Sequence, residues 1–160
     1  MTTTELALAQ RVGAALQARG WTLATAESCT GGLIGHTLTE VAGSSAYYQG
    51  GIVAYSNAVK QAQLGVPQAT LDSVGAVSAE TAQAMAEGVR ARLQADVAVA
   101  TTGIAGPGGG SAAKPVGLVF IAVATAEATT SQRYVFSGDR GAIKQQTAQT
   151  ALQLVLDALA

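Results

Sequence analysis

The sequence predicts an α/β fold: a three-layer α/β/α sandwich around a mostly parallel, mixed sheet with one antiparallel strand. Three observations carry that expectation. Segments with helical spacing of apolar residues alternate with short β-leaning runs along the chain. The run Val97-Ala98-Val99-Ala100 lacks polar alternation, the pattern of a strand covered on both faces. Val116 to Ala124 and Gln132 to Phe136, joined by a weakly polar stretch from Glu127 to Ser131, read as a late hairpin that brings in the antiparallel strand. With 160 residues, no internal repeat and no Pro/Ser-rich linker, the chain reads as one domain, residues 1–160.

Each element has its own signal. Thr4 to Arg19 spaces Leu6, Leu8, Val12, Ala15 and Leu16 as an amphipathic helix, stopped at Gly20. Trp21 to Ala26 is the first strand. It leads through Ser28 into a second helix that carries Leu33, Ile34, Thr37, Leu38 and Val41 and runs to about Ala42, where Gly43-Ser44-Ser45 ends it. Gln49 to Tyr55 is the second strand, and Asn57 to Leu64 a short helix capped by Ser56 or Asn57. Gly65 to Ala76 is a surface excursion with room for one helical turn. Ser78 caps a helix with an apolar stripe at Ala82, Met85, Ala86, Val89 and Leu93, and Asp96 to Thr101 is the buried strand. Ser137-Gly138-Asp139 starts the last helix, which turns Ile143, Thr147, Ala151, Leu152, Val155 and Leu159 inward.

Composition narrows the function classes. Only 12% of residues are charged against 49% hydrophobic; a soluble chain usually has about a quarter charged, so a homo-oligomer is expected. A net charge of −1 gives no basic field for a polyanion, which argues against nucleic-acid binding. The start lacks a positive n-region, and the longest apolar run, Val116 to Ala126, falls short of the roughly 20 residues a membrane helix needs. A cytoplasmic protein with no membrane association is expected. One cysteine excludes an internal disulfide, and one histidine with one cysteine cannot build the usual zinc sites. Chemistry without a metal or other cofactor is expected.

The stretch Thr25-Ala26-Glu27-Ser28-Cys29-Thr30-Gly31-Gly32 is the strongest candidate for a site. It places a serine hydroxyl at a strand-to-helix junction, where a rigid strand holds the side chain and the helix offers free N–H groups. Gly31 and Gly32 would let a ligand approach the backbone. The alternative is that Ser28 or Thr30 only caps the helix. Ligands in such folds bind beyond the carboxyl ends of the strands, here Ser28, Tyr55 and Thr102.

A serine nucleophile needs a base. His36, eight positions beyond Ser28, would lie roughly 12 Å along a helix starting there, so a Ser/His/Asp triad is not expected. The lysines are Lys60, Lys114 and Lys144. Lys60 follows Tyr55 by five positions, and the two reach the same sheet edge as Ser28 if the first two strands are parallel. A neutral amine near pH 7 needs a pKa well below the free value of about 10.4, which burial and the positive end of a helix favour. Tyr55 would relay the proton or hold the amine. The other reading, a solvated surface lysine, is the one that spacing alone favours.

Ser111-Ala112-Ala113-Lys114 fits S-x-x-K, but it follows a glycine-rich loop and precedes Pro115 instead of opening a helix, and no K-T-G accompanies it. The loop Thr102-Gly103-Ile104-Ala105-Gly106-Pro107-Gly108-Gly109-Gly110-Ser111 contains neither a P-loop nor a full dinucleotide fingerprint. Its backbone N–H groups either meet a carbonyl oxygen or a phosphate, or belong to a tight surface loop. Cys29 reads as a buried spectator thiol.

Four motifs stand in order along the chain: Ala26-Glu27-Ser28-Cys29-Thr30-Gly31-Gly32; Tyr55-Ser56-Asn57 with Lys60; Gly103-Ile104-Ala105-Gly106-Pro107 continuing to Gly109-Gly110 and Lys114-Pro115-Val116-Gly117; and Phe136-Ser137-Gly138-Asp139-Arg140. By these the chain resembles the carboxy-terminal domain family of CinA proteins, in its stand-alone nicotinamide-nucleotide amidase form. The resemblance implies hydrolysis of the carboxamide of nicotinamide mononucleotide to nicotinate mononucleotide and ammonia, a step in pyridine-nucleotide salvage, by a serine/lysine mechanism. It makes Ser28 the nucleophile, Lys60 the general base and Tyr55 its partner, with the Thr102 hydroxyl at the reacting amide or the nucleophile. Thr30, Gly31, Gly32, Gly103, Ile104, Ala105 and Gly106 would supply substrate or oxyanion contacts. Arg140 would meet the substrate phosphate or stand as an exposed first-turn residue. Many members carry a separate amino-terminal domain that resembles molybdopterin-binding proteins and is linked to a pyrophosphatase activity; none of that activity is expected of residues 1–160. Two other functions fit the residues: a non-catalytic nucleotide-binding or regulatory module, and a serine/lysine hydrolase of another small carboxamide.

Overall fold

Large and small side chains alternate along the inner strands, and this alternation sets the layers in the computed structural model, which describes residues 1–160. In chain order the elements are α1 (Thr3–Arg19), β1 (Leu23–Glu27), α2 (Leu33–Thr39), a 3-10 turn (Ser44–Ala46), β2 (Tyr48–Val53), α3 (Asn57–Leu64), α4 (Gln68–Ser73), α5 (Ala79–Arg92), β3 (Val97–Gly103), β4 (Leu118–Ala124), β5 (Thr129–Val135) and α6 (Arg140–Leu159). The five strands form one sheet in the order β2-β1-β3-β4-β5. β1 runs parallel to β2 and β3, while β4 is antiparallel to both of its neighbours, so β4 is the one antiparallel strand of a mixed sheet.

On one face, Leu23, Val97, Val99, Val119, Ile121 and Val123 pack against α1, α2 and α6. On the other, Ala24, Ala26, Ala98, Ala100, Ala122 and Ala124 pack against α3, α4 and α5. Period-two alternation sends successive residues to opposite faces, and helices on both faces bury them, giving the α/β/α sandwich. The inward set expected of the last helix is buried in full. Ser56, Ser78 and Asp139 cap α3, α5 and α6, accepting from the N–H of Val59, Thr81 and Ala142 at 3.2, 3.2 and 2.8 Å. No helix is long and apolar enough to cross a membrane.

Several boundaries differ from expectation. The second helix does not start at Ser28 or reach Ala42; it spans Leu33–Thr39. Ser28 and Gly31 first close a turn, with the Gly31 N–H donating to the Ser28 carbonyl at 3.1 Å. Gly31 and Gly32 then take φ of 62° and 103°, so right-handed helix cannot begin before Leu33. Neither Ser28 nor Thr30 is the cap: the N-cap position falls to Gly32, which has no side chain to offer. β2 ends at Val53 and begins at Tyr48, with a register irregularity between Leu23 and Ala24 where Gly50 stands opposite at φ 140°. β5 begins at Thr129 because a short turn, with the Thr125 N–H donating to the Ala128 carbonyl at 2.9 Å, lets Thr129 pair with Ala124. In the excursion after Gly65, the single expected turn is the six-residue α4.

Candidate active site

Because β1, β2 and β3 are parallel, their carboxyl ends share one edge, and pairing continues into the corners beyond. The Ser28 N–H donates to the Thr101 carbonyl at 3.0 Å, and the Ala54 N–H donates to the Glu27 carbonyl at 2.9 Å. Ser28, Tyr55 and Thr102 thereby meet at a cavity of about 270 Å³, joined by Lys60, the loop after β3 and Arg140.

Lys60 sits on the inner side of α3 with 2% of its surface exposed. Its Nζ lies 3.0 Å from Ser28 Oγ and donates to the Tyr55 carbonyl at 3.0 Å. The amine therefore contacts a hydroxyl and a carbonyl and no carboxylate. Burial pulls its pKa down from the ordinary 10.5, opposed by a smaller influence of Cys29. The solvated-lysine reading is overturned by this burial. Cys29 also lines the cavity, but burial pushes its thiol up to about 12, so it stays protonated at neutral pH.

Tyr55 holds the amine through its backbone carbonyl and not through its phenol. Tyr55 is 63% exposed, and its hydroxyl accepts from Arg140 Nη2 at 3.0 Å. Arg140 is the first residue of α6, and its Nη1 also donates to the Gly106 carbonyl at 2.6 Å. One guanidinium thus ties the corner after β2 to the loop after β3 across the cavity rim. Thr102 is buried, and its hydroxyl donates to the Ala76 carbonyl at 2.8 Å, which leaves its lone pairs as acceptors.

Gly103, Ile104, Ala105 and Gly106 line the cavity. The Ile104 N–H is used by the Leu118 carbonyl at 2.9 Å, whereas the N–H groups of Ala105 and Gly106 have no acceptor within the chain. Gly103 has no room for a side chain: a Cβ there would stand 2.7 Å from the Leu118 carbonyl oxygen. The loop continues through a cis Gly106–Pro107 bond to Gly108 and Gly109 at the rim.

Thr30, Gly31 and Gly32 are not among the residues lining the cavity. Thr30 points into the protein, donating to Glu27 Oε1 at 2.7 Å and lying 2.9 Å from Thr101 Oγ1. The Gly31 N–H is spent on Ser28, and the two glycines supply the backbone turn. The α2 amides expected to face a ligand are also occupied: Ile34 and Gly35 donate to Glu27 Oε1 and Oε2 at 2.9 and 3.0 Å. His36 is exposed on α2, and Lys114 donates to the Val74 carbonyl at 2.6 Å, away from Ser28.

Sequence reasoning gave no place in the site to Glu27, Ala76 or Val77 and read Asn57 only as a possible helix cap and motif residue; Asn57, Ala76 and Val77 line the cavity. Asn57 carried a signal, since it stands between the cap Ser56 and Lys60 at the same corner. Ala76 and Val77 carried none, because they arrive from the loop before α5. No group of three or more His, Cys, Asp or Glu side chains is placed to hold a metal ion.

This geometry has relatives. The family model for the CinA C-terminal domain matches residues 5–159. A protein of Enterobacter agglomerans named nicotinamide-nucleotide amidohydrolase PncC is 49% identical over 150 residues, 93% of this chain and 92% of that protein. A CinA-like protein of Chloroherpeton thalassium is 48% identical over 161 residues, 98% of this chain but 38% of its own length. The chain spans little more than a third of the length of such longer relatives, 36% and 38% in two of them. The crystal structure of competence/damage inducible protein CihA from Agrobacterium tumefaciens superposes with a TM-score of 0.96 at 45% identity, covering 99% of this chain and 97% of that one. The chain belongs to the CinA C-terminal domain family.

Proposed function

We propose that this chain is an amidohydrolase that converts nicotinamide mononucleotide to nicotinate mononucleotide and ammonia, a step of pyridine-nucleotide salvage, with Ser28 as nucleophile and Lys60 as general base. The observation that carries the reading is the buried Lys60 amine 3.0 Å from Ser28 Oγ. The amidohydrolase name of the Enterobacter agglomerans relative, which matches over nearly its whole length, supports the substrate.

The chemistry follows from those two groups. Neutral Lys60 takes the proton of Ser28 as Oγ attacks the carboxamide carbon. Charge moves to the carbonyl oxygen, where the unpaired N–H groups of Ala105 and Gly106 are suited to receive it. The Lys60 ammonium returns its proton to the amide nitrogen, the C–N bond breaks, ammonia leaves, and an ester remains on Ser28. Water, losing a proton to Lys60, attacks that ester; the carboxylate leaves and Ser28 recovers its hydrogen. Arg140 retains guanidinium N–H groups beyond its two bonds and stands at the rim, where it suits the substrate phosphate. Cys29 remains an uncharged neighbour.

Ammonia release from nicotinamide mononucleotide by the purified protein, abolished in Ser28→Ala, is the expected result. Binding without turnover would make the chain a nucleotide-binding module. Turnover of a different carboxamide with the same Ser28 and Lys60 dependence would change the substrate and keep the mechanism. The proposal includes a cytoplasmic location and a homo-oligomer; the 12% charged share supports the oligomer, with exposed Val53 on β2 and Val135 on β5 as apolar contact points. Sedimentation equilibrium at the monomer mass of 15.9 kDa would refute the oligomer.

A further inference from the structure

We propose that Glu27 is a positioning residue for Ser28: its carboxylate clamps the far side of the turn that presents the nucleophile, an inference that rests on reading Ser28 as the attacking group. Glu27 is the last residue of β1 and is 2% exposed. Its side chain accepts three hydrogen bonds: Oε1 from Thr30 Oγ1 at 2.7 Å and from the Ile34 N–H at 2.9 Å, and Oε2 from the Gly35 N–H at 3.0 Å.

The turn between Ser28 and Gly32 needs such a clamp. Two adjacent glycines at positive φ have wide conformational freedom and no side chains to restrain them. On the strand side, the Ser28 N–H is held by the Thr101 carbonyl. On the helix side, Glu27 ties itself to α2 and to Thr30. Thr30 in turn reaches Thr101 Oγ1 at 2.9 Å, closing a loop of bonds around Ser28 and Cys29. Misplacement by about 1 Å costs on the order of 100-fold in rate, so the precision of this clamp bears directly on turnover.

Its charge is met by the positive end of α2 and not by Lys60, whose amine bonds to Ser28 and Tyr55. The amides of Ile34 and Gly35 at the start of α2 are thereby occupied by the protein's own carboxylate. On the cavity side, the lining is formed by Ala105, Gly106, Gly108, Gly109 and Arg140. A glutamine in its place has one acceptor oxygen and one NH2, and that NH2 would face an amide or hydroxyl donor.

The test measures kcat, KM and melting temperature on nicotinamide mononucleotide for Glu27→Gln, Thr30→Val, Ser28→Ala and Thr2→Ala, the last removing the remote cap of α1. Glu27→Gln should lose about 100-fold in kcat with KM within about threefold, and Thr30→Val should lose kcat in the same sense by about tenfold. Thr2→Ala should melt lower and keep its kcat. Folded Glu27→Gln with wild-type kcat overturns the inference, as does a kcat loss that Thr2→Ala reproduces at an equal fall in melting temperature. If Glu27→Gln does not fold, Thr30→Val decides by the same criterion. An inactive Ser28→Ala beside a fully active Glu27→Gln refutes the clamp alone; an active Ser28→Ala refutes the nucleophile and the clamp together.

Discussion

The two faces of the sheet bury their helices with different material. The face under α1, α2 and α6 is built from Leu, Val and Ile, whereas the face under α3, α4 and α5 is almost entirely alanine along the strands. Large side chains hold a helix away from a sheet and bury much apolar area; alanines bury less and let the backbone come near. On the alanine face the closeness extends from helix to helix: a Cβ at Gly88 of α5 would collide with the carbonyl of Leu64 at the end of α3. α3 carries Lys60. One face thus contributes mass and the other proximity, and the base is delivered from the side where approach is closest.

The largest effect should come from the base itself. Lys60→Met is expected to lower ammonia release by about 10³-fold, and Lys60→Arg to do nearly the same because guanidinium stays charged. An active Lys60→Arg enzyme would remove the lysine from the mechanism. Next, Ile121→Ala on the bulky face should cost about 2–5 kcal/mol of stability in urea unfolding while leaving kcat of the folded fraction unchanged. Gly88→Ala on the alanine face should cost less, about 1–3 kcal/mol, yet lower kcat by displacing α3. If Ile121→Ala lowered kcat and Gly88→Ala did not, the division of labour between the faces would be wrong.

The smallest effect is in the pH dependence of stability. The folded pKa of Lys60 lies below its unfolded value, so between the two the unfolded chain holds more protons. The penalty for burying this amine is complete below the folded pKa and is relieved as pH rises through it toward 10.5. Stability should gain an increment across that window that Lys60→Met lacks, read from urea midpoints over a pH series. Over the same range, activity should fall on the acid side as Lys60 takes up its proton, with a midpoint below 10.5.

Some of the site was legible before any coordinates and some was not. The caps Ser56, Ser78 and Asp139 announce themselves because a hydroxyl or carboxylate ahead of a helical run serves its own helix three residues on. The start of α2 misleads for the converse reason. Serine and threonine precede it, but its amides are taken by Glu27, seven and eight positions back and on the strand, a pairing that depends on the turn between. Tyr55 shows the same limit: its place at the corner was readable, whereas the division between a carbonyl that holds Lys60 and a phenol that meets Arg140, 85 positions away, was not.

What the sequence by itself determined is local and periodic. An apolar run without polar alternation marks a strand covered on both faces, helical spacing specifies which side of each helix is buried, and glycines mark where the chain must turn. These depend only on residues a few positions apart. Only the tertiary structure decided that Lys60 reaches Ser28 across 32 positions, that it is buried and so less basic, and that Arg140 joins two loops at the rim. Desolvation and contact between distant segments are properties of the assembled layers, and no short stretch of the chain contains them.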